Sequence, residues 1–298
     1  MNPLRRSILS VPGHKSSMHV KATSSSADVI MLDLEDSCPP GEKTSARKEV
    51  ATSATTLDWG TKTLTVRIND PAGAYCFRDL TELIPVLGNH IESLVVPKVE
   101  TASQLHYIDH VLTALEREHK ISTPIGLEPI IESAHALRDA DKIATSSSRI
   151  QTLVFGVADY SASINMPLSS ISGHGESDGV YPGDPLHFVY SRLIMCGKAA
   201  GLHVIDAPFG NFRDPDGLKI AAQRSRALGF DGKWCIHPSQ IDTINEIFSP
   251  SEEEIERAKK VIAAHEAAEG GAAAIGNSMI DAASVRMARD TLDRASRV

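Results

Sequence analysis

Eight short apolar runs, each ending abruptly in polar residues, punctuate the chain at intervals long enough for one helix. They are SILSVP (7–12), ADVIMLDLED (27–36), TLTVRIND (63–70), SLVVPKV (93–99), IGLEPII (125–131), LVFGVA (153–158), HVIDAPF (203–209) and GKWCIHP (232–238). Runs this short and this continuously apolar are covered on both faces, as strands of a parallel sheet are. Helix signals fill the gaps. Asp184-Pro185 and Asp214-Pro215 each place an N-cap before a proline, and Gly201 and Gly229 stand where those helices should stop. Pro85 shortens or kinks the helix around FRDLTELIPVL. Eight strand–helix units close most economically as a (β/α)8 TIM barrel. An open doubly wound sheet would carry a glycine-rich phosphate loop after its first strand, and none follows SILSVP.

The barrel is expected to fill residues 1–248. Residues 249–298 read as a C-terminal helical extension, a lid or an oligomer arm. Ser249-Pro250-Ser251-Glu252 has the pattern of a capping box and opens a helix with Ile255, Ala258 and Ile262 on one face. GGAAAIGNS (270–278) reads as a flexible linker. A last helix follows Met279-Ile280-Asp281.

An apolar content of 42% over 298 residues supplies a sizeable core. The formal charge of −8 argues against nucleic-acid binding, which needs a basic surface. No apolar run is long enough to span a bilayer, and the N-terminus reads as a first strand rather than a signal peptide. The four cysteines, Cys38, Cys76, Cys196 and Cys235, are far apart and form no CxxC pair. Reduced thiols in a cytoplasmic protein are the expectation.

Barrel active sites lie at the C-terminal ends of the strands. Those ends carry Ser10, Glu35, Asp36, Arg67, Asn69, Lys98, Glu132, Asp159, Asp206 and His237. Glu132 and Asp159 end two successive strands, so they fall side by side on one rim. Two carboxylates, completed by water and substrate oxygens, suit Mg²⁺, whereas too few His and Cys lie together for zinc. Glu132 also has a plainer explanation, as a helix N-terminal acid favoured by the dipole. Arg67 is either an ion-pair partner of Glu35 or Asp36, or a grip for a developing oxyanion. Asp33 points away from Leu32 and Leu34 and is expected to be half-buried with a partner. Lys15 and Lys21 lie one and a half turns apart beside the first strand's end, as a solvated helix face would place them. His237 before Pro238 fits a helix cap as well as a site residue.

Several ordered blocks together carry a resemblance that covers essentially the whole chain. They are RRSILSVPGHKSSMHVKA, DVIMLDLEDSCPPGEKTSAR, VRIND, VVPKVE, PIIESAHAL, FGVADY, GKWCIHPSQI with its trailing FSPSEEEI, and the C-terminal MID. In these the chain resembles the CitE-like acyl-CoA lyases of the HpcH/HpaI aldolase superfamily. That group holds malyl-CoA/β-methylmalyl-CoA lyases, citramalyl-CoA lyases and citrate lyase β subunits. The segment PGDPLHFVYSRLIMCGKAAGLHVIDAPFGNFRDPDG looks closest to the malyl-CoA branch.

The resemblance implies Mg²⁺, or Mn²⁺, on Glu132 and Asp159, and coenzyme A as part of the substrate. It implies that Arg67 contacts substrate carbonyl oxygens. Ser10, Lys15, Lys21, Ala158 of the FGVADY block and His237 fall at substrate-holding positions. Where this chain has Lys15, the family more often has arginine. Asp281 matches an acid that the lid of a neighbouring subunit brings over the site, which implies a homotrimer or homohexamer. The family often has a proline just after MID, and here Ala282-Ala283 follows. The implied reaction is a reversible Claisen-type cleavage of a 3-hydroxyacyl-CoA to an acyl-CoA and a 2-oxo acid. Glu35 and Asp36 are expected to orient Arg67. A citrate lyase β subunit acting on a carrier-bound thioester and a malyl-CoA thioesterase are the competing expectations.

Overall fold

The computed structural model describes residues 3–167, 184–268, 273–275 and 278–298, which fall into two compact units, 1–245 and 246–298. The first unit is a closed barrel of eight parallel strands in sequential order. Its strands are β1 Ser7–Pro12, β2 Val29–Asp33, β3 Thr63–Arg67, β4 Ser93–Val96, β5 Gly126–Ile131, β6 Thr152–Phe155, β7 His203–Asp206 and β8 Gly232–Cys235. The helices that follow them are α1 Ser16–Thr23, α2 Lys43–Thr56, α3 Cys76–Leu87, α4 Ala102–His119, the short pair α5 Ala134–Arg138 and α6 Ala140–Ala144, α7 Val157–Ser163, α8 His187–Ala199, α9 Pro215–Leu228 and α10 Ile241–Phe248. The ring closes where Ile8 of β1 pairs with Val29 on one side and Trp234 on the other.

The strands are continuously apolar because both faces are covered. Ile8, Val29, Met31, Val95, Ile130, Val154, Ile205 and Trp234 meet in one buried cluster inside the ring. Each such side chain contributes about 1.5–3 kcal/mol by leaving water. The intervening residues, such as Ile30, Leu32 and Leu153, are equally buried under the helices. Beneath the cluster, buried Arg5 donates to Glu128 at 2.8 Å and to Glu92 at 2.6 Å, so its charge is paired where water is excluded.

Several local signals hold and several need correction. Asp214 caps α9 through the Gly217 amide, and Gly229 ends it with φ of 111°. Asp184-Pro185 does not start its helix, because α8 begins at His187 and the Asp184 carboxylate instead accepts the Leu186 amide at 2.9 Å. Pro85 sits in the last turn of α3 and is accommodated there. Asp206 does not reach the rim. Its side chain points outward, where it pairs with fully buried Lys233 and accepts the Ser225 hydroxyl of α9 at 2.5 Å.

The second unit holds α11 Glu252–Ala267, strands β9 Ala273–Ile275 and β10 Ser278–Ile280, and α12 Ala282–Ala295. The capping box lies two residues beyond the expected one: Ser251, not Ser249, caps α11, and Glu254, not Glu252, answers it. The glycine-rich stretch is not simply a linker: β9 and β10 pair antiparallel, with Met279 opposite Ala274. Asp281 caps α12 by accepting the Ser284 amide at 2.8 Å and its hydroxyl at 2.9 Å.

Candidate active site

Arg67 is the last residue of β3, and in the parallel register it stands beside Asp33 of β2. Both point into the barrel mouth. Nε and Nη2 of Arg67 each donate to Asp33 at 2.6 Å, a fork that fixes the guanidinium plane. Nη1 lies 3.0 Å from Glu35 and 3.7 Å from Asp36. Below, the indole of Trp234 faces the guanidinium, with Cζ 5.6 Å from the ring centre. Arg67 is thus held on three sides, and these contacts engage three of its five N–H groups.

Asp33 is fully buried, not half-buried. Leu32 and Leu34 face the helices, so the opposite direction leads into the closed ring. Its oxygens also accept the amides of Glu35 and Ser37 at 2.8 and 3.1 Å, which shapes the loop after β2. Lys43 completes that loop by donating to the Leu34 and Glu35 carbonyls at 2.6 and 2.7 Å. Asp33, Trp234 and Lys43 carry the geometry of the arginine, and the sequence singled out only Asp33, without assigning it to Arg67. Asn69 serves the next loop, binding Asp79 through side chain and backbone.

Glu132 follows β5 and is 7% exposed. Its Oε1 accepts the Lys98 amide at 2.5 Å. Its Oε2 lies against Gly156, where a Cβ would come within 2.5 Å of it. Asp159 does not end a strand: it lies in the first turn of α7, exposed at the mouth beside exposed Ala158. Lys98 extends its ammonium to Glu35 and lies 3.6 Å from Asp36. Glu35, Asp36, Arg67, Lys98 and Glu132 therefore form one contact network.

Burial raises the Glu132 carboxyl to about 8, with further repulsion from Asp159 and Glu35 overcoming the Lys98 amide. Burial likewise pushes Glu35 up against the pull of Arg67 and Lys98. Burial alone would lower Arg67 and Lys98, but the carboxylates of Asp33 and Glu35 hold both above their usual values. Burial opposes ionisation of Asp33, and the Arg67 charge more than reverses it.

A carboxylate that resists ionisation among other acids is the setting a divalent cation relieves. Among the described residues no three His, Cys, Asp or Glu side chains converge as a complete metal site. Glu132 and Asp159 instead suit an ion that keeps water or substrate oxygens on its remaining positions, as Mg²⁺ does.

The other expected residues are spread around the same end. Ser10 of β1 is partly exposed and shares the inward direction of Ile8. Lys15 precedes α1 and Lys21 closes it, both exposed. His237 follows β8, where it caps a short 3-10 turn through Ser239 at 3.2 Å and stacks on Phe212 with ring centres 4.8 Å apart. Asp281 belongs to the second unit.

A closed parallel barrel with acids and an arginine clustered at the strands' C-terminal ends defines a (β/α)8 enzyme. The chain belongs to the HpcH/HpaI aldolase/citrate lyase family, whose model matches residues 6–238. It is 36% identical over 296 residues to an L-malyl-CoA/β-methylmalyl-CoA lyase of Cereibacter sphaeroides, covering 96% of this chain and 93% of the relative. It is 33% identical to the citrate lyase β subunit of Leuconostoc mesenteroides, covering 93% and 89%. The structure of CitE from Mycobacterium tuberculosis in complex with magnesium, acetoacetate and coenzyme A superposes with a TM-score of 0.77 at 29% identity, covering 99% and 98%.

Proposed function

We propose that this chain is a magnesium-dependent carbon–carbon lyase. It reversibly cleaves a 3-hydroxyacyl-CoA of the malyl-, β-methylmalyl- or citramalyl-CoA type. The products are acetyl- or propionyl-CoA and a 2-oxo acid such as glyoxylate or pyruvate. The observation that carries this is the placement of Arg67, clamped but with N–H groups left over, beside the burial-raised carboxylate of Glu132.

Glu132 and Asp159 would hold Mg²⁺ or Mn²⁺, which when bound would supply Lewis acidity toward the substrate's oxygens. As the bond between the α and β carbons breaks, the 3-hydroxyl oxygen becomes the keto oxygen of the 2-oxo acid, its proton passing through solvent to the Asp281 carboxylate, and the bond's electron pair is left on the thioester as an enolate. The free N–H groups of Arg67 stabilise that enolate oxygen by charge-assisted hydrogen bonds. Asp33, Glu35 and Asp36 keep the guanidinium in place while charge develops. Asp281, from the extension of a neighbouring subunit in a homotrimer or homohexamer, carries the proton to and from the α carbon. The amide and hydroxyl of Ser284 keep its carboxyl below the usual range, which is the form that removes the proton in condensation. Ser10, Lys15, Lys21, Ala158 and His237 hold the rest of the thioester.

All four cysteines are buried and free, which supports work in the reducing cytoplasm. No helix among the described residues is long and apolar enough to cross a membrane.

Product analysis on malyl-CoA, citramalyl-CoA and citryl-CoA tests the assignment. An acyl-CoA plus a 2-oxo acid, lost with EDTA, is the expected result. Free CoA with no 2-oxo acid would identify a thioesterase instead. Inertness toward all three esters, with turnover of a carrier-bound thioester, would identify a citrate lyase β subunit.

A further inference from the structure

Lys98 stands after Pro97 at the end of β4 with φ of 52°, in the left-handed region that side-chain-bearing residues avoid. Glycine is the ordinary choice at such a position. A lysine there keeps the backbone geometry that glycine would give and adds a side chain. Both parts are used. The turn aims the amide at Glu132 Oε1, 2.5 Å away, and the ammonium binds Glu35. The other oxygen of Glu35 faces Arg67 Nη1 at 3.0 Å. The lysine side chain is 39% exposed, so it reaches the open mouth and is not a sealed core ion pair.

We propose that Lys98 is a positioning residue that links the two halves of the site. Its amide fixes the orientation of Glu132, and its ammonium braces Glu35 against Arg67. The assignment rests on the lyase reading for its kinetic consequences, but the amide half concerns Glu132 alone. One strained turn thereby ties the metal-holding carboxylate to the arginine that meets the enolate.

Full-length variants separate the two halves, with Mn²⁺ affinity measured by electron paramagnetic resonance alongside kcat, KM and thermal unfolding. Lys98→Met and Lys98→Gly keep the amide and lose the ammonium. Their Mn²⁺ affinity should stay near wild type, while kcat falls roughly 10- to 100-fold with little change in KM. Lys98→Arg, which keeps a charge within reach of Glu35, should recover much of that kcat. Lys98→Ile, whose β-branch resists the left-handed region, should weaken Mn²⁺ binding roughly tenfold or more. Wild-type kcat in Lys98→Met would overturn the role of the ammonium. Wild-type Mn²⁺ affinity in folded Lys98→Ile would overturn the role of the amide. If Lys98→Ile does not fold, loss of Mn²⁺ affinity in folded Lys98→Met or Lys98→Gly overturns the division of labour. If the wild-type protein binds Mn²⁺ but cleaves no thioester, the lyase reading fails while the Mn²⁺ measurements still judge the amide.

Discussion

Gly156 stands where any side chain would collide with Glu132: a Cβ there would lie 2.5 Å from both Cβ and Oε2 of the glutamate. The backbone of Gly156 cannot retreat easily, because its amide is bonded to the Ile131 carbonyl at 3.1 Å. The added methyl group in Gly156→Ala must therefore move the Glu132 carboxylate. We expect Mg²⁺ affinity by calorimetry to fall at least tenfold, with overpacking costing about 1–3 kcal/mol of stability. A folded alanine variant with wild-type Mg²⁺ affinity would show that Glu132 does not bind metal from this position.

The raised carboxyl of Glu132 sets a pH window. Its value of about 8 lies above the ordinary 4.5, so between the two the native protein holds a proton that the unfolded chain has lost. Stability from this group is full below the ordinary value and is lost as pH rises through about 8. The metal-free protein should therefore lose on the order of a few kcal/mol across that window. If Glu132 holds the cation as proposed, binding must displace the proton, so Mg²⁺ affinity should climb over the same range and then level off. Thermal melts of wild type and Glu132→Gln, each with and without Mg²⁺, measure this. An identical pH slope in the two metal-free proteins would contradict it.

The barrel was legible because apolar runs end sharply where strands meet the rim, and Glu132 and Arg67 fall at those ends. The helical place of Asp159 is hidden in the sequence because Val157 and Ala158 prolong an apolar run into the first turn of α7, and hydropathy does not mark that change of backbone. The full burial of Asp33 is not legible in the sequence, because alternation shows which side a residue faces but not that both sides of a barrel strand are dry. Asp206 shows the converse, since its position at the end of β7 gives no sign that its partner is Lys233 on the outer face. The left-handed turn at Lys98 is set by tertiary contacts, and a lysine does not announce it. In the Gly- and Ala-rich stretch before Met279, the pairing of β9 with β10 leaves no alternating pattern to read.

Lys233 and Asp206 provide a control away from the mouth. Both side chains are fully buried on the outer face of the barrel, against Ser225. Lys233→Met leaves the aspartate buried without its cation and should cost about 3–5 kcal/mol in urea unfolding. Lys233→Met combined with Asp206→Leu removes both charges and should recover much of that loss. Mg²⁺ affinity should be unchanged in the folded variants, because neither residue touches the network around Arg67. A loss of affinity equal to that of Gly156→Ala would mean that the two regions are coupled.

Asp281 caps α12 and, in the proposed mechanism, carries the substrate's proton, and the choice of substitution distinguishes the two roles. Its carboxylate caps α12 through Ser284, a task asparagine performs about as well. Asparagine cannot exchange a proton with the substrate carbon. Asp281→Asn should therefore keep the melting profile and Mg²⁺ affinity of the wild type while turnover falls roughly 10²- to 10⁴-fold. Asp281→Ala should lose the cap as well, at about 1 kcal/mol confined to the second unit. Exchange of the acetyl-CoA methyl protons with solvent deuterium gives the direct readout. It should proceed in the wild-type protein and stop in Asp281→Asn, even where the barrel residues are intact. Continued exchange in the asparagine variant would take the proton transfer away from Asp281 and return it to a group at the barrel mouth.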